Sequence, residues 1–302
     1  MVWFSFNERF WTGNEAPHLS SRSIAEVSAE NTTGRSAERF AFGKNWQRFL
    51  KNLTNERIAE AEKSLREMLE GEDFSGKSFL DIGCGSGLFS LAAMRLGARK
   101  VHSFDFDPQS VVCAQELKNR YFAGDSAWTI QQGSALNSEF LASLGQFDIV
   151  YSWGVLHHTG SMWRALENVI PLVGTPGRLF IALYNDQGLL STTWKVVKEL
   201  YNRGLGWRLV IIPTFASLFA GACFFKDVLV MRKNPLSRYR DYKRSRGMSY
   251  TTDLLDWLGG YPFEVARPDD IFEFFKARGF ELAKLKTVGM GLGNNEFVFI
   301  RR

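Results

Sequence analysis

Apolar and polar positions alternate along most of this chain between short strand-like runs and longer helix-like stripes. Continuous apolar runs predict strands at residues 78–82, 101–105, 127–132, 147–152 and 177–184. Between them, apolar residues recur at helical spacing, as from Leu88 to Leu96 and from Val111 to Leu117. Strands that alternate with helices predict an α/β fold with a doubly wound, mostly parallel sheet.

The same pattern divides the chain into four segments. Residues 1–75 are an N-terminal segment followed by helices, and residues 76–187 are the α/β core. Residues 263–302 carry one more helix and two strands, which brings the predicted sheet to seven strands. Residues 188–262 interrupt this order and predict a helical insertion that forms a lid or an interface before the last strands.

A glycine-rich loop follows the first strand of the core. Residues 79–87 read F-L-D-I-G-C-G-S-G, with glycines at positions 83, 85 and 87 and the small residue Cys84 between two of them. Dinucleotide-binding proteins place a third glycine one position later, where this chain has Leu88. The loop is therefore a different nucleoside-binding type, or a glycine turn of some other α/β protein. Asp81 suits a positively charged ligand.

A second acidic residue ends the next strand. Asp105 lies 18 residues beyond Gly87, close to the spacing of about 20 at which α/β nucleoside folds place a carboxylate for ribose hydroxyls. The alternative is a solvated acid in the turn before Asp107 and Pro108, which form a good helix start by themselves.

Together, the D-x-G-x-G-x-G motif and Asp105 resemble class I S-adenosylmethionine (SAM)-dependent methyltransferases, loosely the branch of ubiquinone-biosynthesis O-methyltransferases. The resemblance implies SAM as cofactor and S-adenosylhomocysteine (SAH) as product. It also implies that Asp105 holds the ribose and Phe106 covers the adenine. Further implied cofactor contacts are Asp81, Gly83, Cys84, Gly85, Gly87, Gly133, Ser134, Ala135 and Trp153. The family often has an acid where this chain has Ser134.

An aromatic cluster precedes the core, and it contains Lys44 and Trp46. These two residues either pack a helix on the core or cover the bound donor, as cap helices do in many small-molecule methyltransferases. A cover that excludes water would strengthen the electrostatics of the site.

The fourth and fifth strands end in residues that suit an acceptor site. W-G-V-L-H-H-T at residues 153–159 resembles motif IV of the family. His157 or His158 is the candidate base for a substrate hydroxyl, since the unperturbed pKa of histidine is about 6.5. Alternatively, one of them caps the helix predicted at 161–170. Tyr184 and Asn185 are candidate substrate contacts together with His158, or simply a polar strand exit.

The insertion combines an apolar helix with a basic run. Residues 209–225 are apolar apart from Pro213 and small or hydroxyl residues, and residues 231–246 carry seven Lys or Arg against Asp241. Segment 205–246 is therefore a buried lid, a homodimer helix, an interfacial membrane contact or a span. The basic run by itself is commonly a solvated face.

Bulk composition narrows the class. The chain has 302 residues, a formal charge of +5 and a pI near 9.1, typical of a globular protein without a marked nucleic-acid signature. Three scattered cysteines indicate a reducing, cytoplasmic setting and no metal site. The first eleven residues lack the apolar run of a secretory signal.

The sequence predicts an enzyme that moves a methyl group from SAM to a small molecule, with a hydroxyl oxygen as the expected acceptor atom, by in-line displacement. Two alternatives stay open: a membrane-associated lipid or quinone methyltransferase, and a SAM-binding protein without catalysis. RNA is disfavoured as acceptor because no RNA-binding module accompanies the basic run.

Overall fold

The computed structural model describes residues 40, 43–230, 232, 250–289, 291 and 293–302. The predictions for residues 1–39 and most of the basic run lie outside this part of the chain. Its strands are β1 Ser78–Ile82, β2 Lys100–Asp105, β3 Trp128–Gln132, β4 Phe147–Trp153, β5 Val173–Tyr184, β6 Phe280–Lys286 and β7 Asn294–Arg301. Its helices are α1 Gly43–Lys51, α2 Asn55–Met68, α3 Leu88–Arg95, α4 Pro108–Tyr121, α5 Ser138–Leu144, α6 Met162–Val169, α7 Leu189–Asn202, α8 Leu205–Phe225, α9 Tyr250–Gly259 and α10 Pro268–Lys276.

The seven strands form one sheet in the order β3-β2-β1-β4-β5-β7-β6. All neighbours pair in parallel except β7, which is antiparallel to both β5 and β6. This confirms the predicted α/β class with a mostly parallel, seven-stranded sheet. The chain leaves β1 toward β2 on one side and later returns to β4 on the other side. Ligands bind beyond the carboxyl ends of strands at such a switch point.

Side chains of alternate strand residues build a core on each face of the sheet. Phe79 of β1 packs with residues of α2, α3 and α4, whereas its neighbour Leu80 packs with residues of α5, α6 and α10. Each fully buried leucine or phenylalanine contributes roughly 1.5–3 kcal/mol. The two layers fix the strand ends, and therefore the loops that leave them.

The insertion forms a third, aromatic cluster. It joins α7, α8 and α9 to the end of β5 through Trp194, Phe215, Trp257, Phe263 and Tyr184. One boundary differs from the sequence prediction: β5 begins at Val173, and the predicted turn at Pro176 and Gly177 lies inside the strand. A Cβ on Gly177 would lie 2.5 Å from the Gly174 carbonyl oxygen, so the strand bends tightly there.

Candidate active site

The glycine loop has a backbone that other residues rarely adopt. Gly83, Gly85 and Gly87 have φ angles of +73°, +54° and +79°, in the left-handed region that glycine occupies without steric cost. The amides of Gly83 and Cys84 both donate to the Phe104 carbonyl oxygen, at 2.8 and 3.1 Å. These bonds hold the loop against the end of β2, with α3 starting directly behind it.

The carboxylate of Asp105 joins the glycine loop to the turn after β2. Its Oδ2 accepts from the Gly85 amide and its Oδ1 from the Asp107 amide, each at 2.9 Å. Asp107 is the residue that caps α4, since its side chain accepts from the Gln109 amide at 2.8 Å. The helix start therefore does not need Asp105. Phe106 follows Asp105, and 52% of its surface is exposed.

Asp81 lies beneath the loop instead of opening into it. It is buried, and Ser90 Oγ donates to its Oδ2 at 2.5 Å. Ser90 and Ser103 share a hydrogen bond of 2.7 Å, and Trp128 Nε1 donates to Ser103 Oγ at 2.8 Å. Burial raises the pKa of Asp81 to about 7, although Ser90 opposes that shift. The network fixes α3 on the sheet, so Asp81 acts on the loop from below.

Helix α1 covers the loop from the other side. A Cβ on Gly85 would lie 2.7 Å from Trp46 Cε2, which puts the indole directly over the loop. The Gly43 amide donates to Asp107 Oδ2 at 2.8 Å and ties the helix to the turn after β2. Lys44 belongs to α1, but its side chain lies outside the described structure. Burial raises the pKa of the Cys84 thiol well above its ordinary value, so the thiol stays protonated.

The end of β3 completes this side of the site. The Gly133 amide donates to the Asp105 carbonyl oxygen at 3.0 Å, and a Cβ there would lie 2.3 Å from the Phe140 ring. Ser134 Oγ accepts from the Leu136 amide at 3.2 Å, and Ala135 is buried behind it. Trp153, at the end of β4, is half-buried. The ends of β1, β2 and β3 therefore meet at one edge.

The loop after β4 carries both histidines in one buried turn, Leu156–His158. Neither caps the following helix: the Met162 amide at the start of α6 donates to both carboxylate oxygens of Glu264, at 3.0 and 3.1 Å. The capping alternative is therefore wrong, because Glu264 takes that role. The histidine rings lie 4.4 Å apart between their centroids.

Backbone contacts give the two imidazoles opposite tautomers. His158 Nδ1 lies 2.6 Å from the Pro262 carbonyl oxygen; a carbonyl only accepts, so Nδ1 carries the proton and Nε2 is the basic nitrogen. The Tyr184 amide donates to His157 Nδ1 at 3.4 Å, which leaves the proton of a neutral His157 on Nε2. Burial lowers the pKa of His157 well below its ordinary value, with smaller effects of His158 and Lys198. His157 therefore stays neutral.

The predicted substrate contacts Tyr184 and Asn185 point to different places. The Tyr184 ring lies 4.0 Å from the His157 ring and 5.4 Å from the His158 ring. Asn185 instead donates to the Gly289 carbonyl oxygen and accepts from Asn295 Nδ2, each at 2.9 Å. It lines an open cavity of about 600 Å³ with Arg267 and Asn295. The structure brings only Tyr184 to the histidines.

Three residues near the histidines were not singled out from the sequence. Asn294 is buried opposite Tyr184 in the sheet, and its Oδ1 has no hydrogen-bond partner within the described residues. Lys198 is fully buried, donates to the Trp257 carbonyl oxygen and lies over the Trp257 ring at 4.2 Å. Its position on the buried stripe of α7 with Trp194 and Tyr201 was a detectable signal. No signal in the sequence indicated that Glu264 caps α6.

Comparisons with known proteins agree with this geometry. Residues 80–179 match the family model described as a methyltransferase domain. The fold is similar to an O-methyltransferase family protein from Burkholderia thailandensis, with a TM-score of 0.52 and 12% identity over 88% of this chain and 65% of that one. Magnesium protoporphyrin IX methyltransferase from Synechocystis PCC 6803, with bound SAH, aligns with a TM-score of 0.49 and 16% identity over 86% and 95% of the two chains.

A curated relative matches over a short segment. Ribosomal protein L11 methyltransferase from Vibrio vulnificus (strain YJ016) is 46% identical over 59 residues. These residues are 20% of this chain, and the chain spans only 20% of the length of that relative.

Residues 80–179 therefore match a methyltransferase domain, and the fold is that of class I methyltransferases. SAM is the cofactor that the sequence predicts for such a domain. The site fits this cofactor. Its loop has no side chain at three glycines, the Asp105 carboxylate accepts a hydrogen bond from the loop amide of Gly85, and the next residue, Phe106, is 52% exposed.

Proposed function

We propose that this protein is an enzyme that methylates a hydroxyl oxygen of a small molecule, with His158 as the base. The observation that carries this proposal is the hydrogen bond between His158 Nδ1 and the Pro262 carbonyl oxygen. It fixes the tautomer in which Nε2 can take a proton. The closer resemblance to ubiquinone-biosynthesis O-methyltransferases stays a prediction.

Each side of the site has a separate task. The glycine loop, Asp105 and Phe106 would hold the cofactor, with contributions from Gly133, Ser134 and Ala135 at the end of β3 and from Trp153 at the end of β4. Trp46 and Lys44 of α1 would cover it and exclude water, which strengthens the electrostatics of the closed site. Asp81 positions α3 and the loop from beneath.

When bound, SAM supplies a methyl group already activated on a sulfonium. The protein therefore has to orient the acceptor and remove its proton. His158 Nε2 takes the hydroxyl proton as the acceptor oxygen gains the methyl group. His157, fully buried and held neutral, lies against the His158 ring, and Tyr184 packs against both rings. Asn185 is a substrate contact only for an acceptor that reaches the neighbouring cavity.

The test uses labelled SAM, a cell extract fractionated by size, and purified wild-type protein. We expect label in small molecules, a loss of about 10²–10⁴-fold in rate for His158→Gln, and unchanged SAH affinity by calorimetry. Label in a protein fraction would show that the acceptor is a protein and not a small molecule. Full activity of His158→Gln would show that His158 is not the base. SAH binding without any labelled product would show that the protein binds SAM without catalysis.

A further inference from the structure

Helix α8 exposes apolar residues on a scale that water does not favour. Within Leu205–Leu229, an 18-residue window has a mean hydropathy of 1.8 and 6% of its residues are buried; among the described residues this is the one helix long and apolar enough to cross a membrane. Between Arg208 and Lys226 the sequence has no charged residue. Exposed helices of globular proteins normally carry charged residues on the outer side, so this surface requires an apolar partner.

The two sides of α8 are distinct in their contacts. The inner side packs on α7 and α9 through residues spaced by three or four positions: Ile211, Ile212, Phe215, Ala216 and Phe219. The outer side is exposed and includes Leu209, Val210, Leu218, Phe224 and Phe225. Leu189 and Leu190, at the start of α7, are also exposed. Exposed apolar residues are therefore also present at the start of α7, the helix that packs on α8.

Positive charge borders this surface. Arg203 and Arg208 lie near the start of α8, and Arg232 is exposed just beyond its end. In the sequence, Lys233, Arg238, Arg240, Lys243, Arg244 and Arg246 follow, against the single acid Asp241. Apolar residues flanked by cations are complementary to an anionic lipid surface.

We propose that the outer side of α8, with the first turn of α7, is inserted into the interface of an anionic lipid bilayer. The inner side of α8 is held by the domain, so the helix lies along the membrane and does not cross it. A second copy of the chain is a poorer occupant, because a symmetric dimer through α8 would bring Arg203, Arg208 and Arg232 of both copies to one interface.

This placement also bears on the acceptor, a step that rests on the proposed function. A continuous series of aromatic rings leads from α8 to the histidines. Trp194 lies 5.0 Å from Phe215 and 5.3 Å from Trp257, and Trp257 lies 5.7 Å from Tyr184 between ring centroids. The side of the histidine site that faces α8 is therefore apolar, which suits an apolar acceptor. The acceptor class is therefore an apolar hydroxyl compound that partitions into lipid.

Co-sedimentation tests the membrane contact independently of catalysis. The full-length protein is mixed with vesicles of phosphatidylcholine containing phosphatidylglycerol, or of phosphatidylcholine alone. We expect binding to the anionic vesicles that weakens as salt is raised, and weaker binding to the neutral ones. Failure to bind either vesicle would overturn the proposal, whatever the outcome for methyl transfer.

A pair of variants locates the contact. Val210→Glu with Leu218→Glu places two charges on the outer side, at residues 59% and 60% exposed, and should reduce vesicle binding at least tenfold. The control is Val112→Glu in α4, also 59% exposed, with binding unchanged. If the double variant bound anionic vesicles as tightly as wild type, the outer side of α8 would not be the membrane contact. If the wild-type protein formed a dimer without lipid, and the double variant dissociated that dimer, the surface would instead be an interface with a second copy of the chain.

The acceptor class needs its own measurement. Wild-type protein with labelled SAM should label apolar extract components faster when they are supplied in anionic vesicles than in detergent-free buffer. If the labelling rates were equal while the protein still bound vesicles, the proposal of a lipid-dissolved acceptor would be rejected and the membrane contact would be retained. SAH affinity of the double variant should equal that of wild type, which separates both results from a failure of the donor site.

Discussion

Gly83 and Val155 touch across the carboxyl edge of the sheet. A Cβ on Gly83 would lie 2.4 Å from Val155 Cγ1 and 2.5 Å from Cγ2. Gly83 belongs to the glycine loop, and Val155 precedes the turn that carries both histidines. The two halves of the site are therefore in direct contact, and the position of one loop restricts the other.

Gly83→Ala should weaken SAH binding by about tenfold or more. The added methyl group meets Val155, and overpacking of this kind costs about 1–3 kcal/mol. Titration calorimetry with SAH measures the effect. Gly124→Ala is the matched control, since Gly124 has a similar φ of +74° but nothing within 4 Å of its Cβ position. If Gly83→Ala and Gly124→Ala bind SAH equally well, the contact with Val155 does not matter.

Asp105→Asn should reduce SAH affinity by roughly 10- to 100-fold, because hydrogen bonds to a charged group are worth about 1.5–3 kcal/mol. The amide group has one acceptor oxygen and cannot accept from both Gly85 and Asp107. Asp125→Asn serves as control, because Asp125 makes the same local contact, with the Ala127 amide at 2.8 Å, away from the loop. Undiminished affinity in Asp105→Asn would exclude a role in holding the donor.

The pH dependence of turnover should distinguish the two histidines. A base must be unprotonated, so the rate of wild type should fall as the pH is lowered. This acid limb should disappear with His158→Gln, on a much reduced rate. It should persist with His157→Gln, because burial already holds the pKa of His157 well below its ordinary value. If the acid limb were lost only in His157→Gln, His157 would be the base and His158 would not.

Asp81→Asn should change how stability depends on pH. Burial raises the pKa of Asp81 from 3.8 to about 7, so the folded state holds this proton more tightly than the unfolded state does. Stability is therefore greatest below about pH 4 for this group, and it is lost as pH rises to about 7. The neutral amide should remove that loss, on the order of a few kcal/mol, and raise the melting temperature at pH 8.

Asp148→Asn should change the pH dependence of stability in the direction opposite to that of Asp81→Asn. Partial burial acts to raise the pKa of Asp148, but hydrogen bonds from the Ser78 amide and hydroxyl, both 2.7 Å, hold it below its ordinary value. Its contribution is present above the unfolded pKa and is lost as pH falls through the folded one. Asp148→Asn should therefore lower the melting temperature at neutral pH. Parallel pH profiles in both variants would contradict these assignments.

Much of the donor site could be predicted from the sequence because its signals are local. Gly83, Gly85 and Gly87 occupy left-handed backbone positions within one loop, and Asp105 ends the adjacent strand 18 residues beyond Gly87. The role of Asp81 was less visible, because the same acidic residue could face the ligand or the core. Only the packing of α3 on the sheet brings Ser90 to it.

The sequence by itself determined the alternation of strands and helices, the glycine loop, and the apolar helix with its basic flank, since each depends on residues close together in the chain. The tertiary structure decided what distant residues do to one another. Pro262 selects the tautomer of His158 from 104 positions away, Glu264 caps α6, and α8 keeps its outer side exposed while Trp194 takes the inner one. The physical reason is that hydrogen-bond partners and burial depend on packing between segments, which local periodicity does not encode.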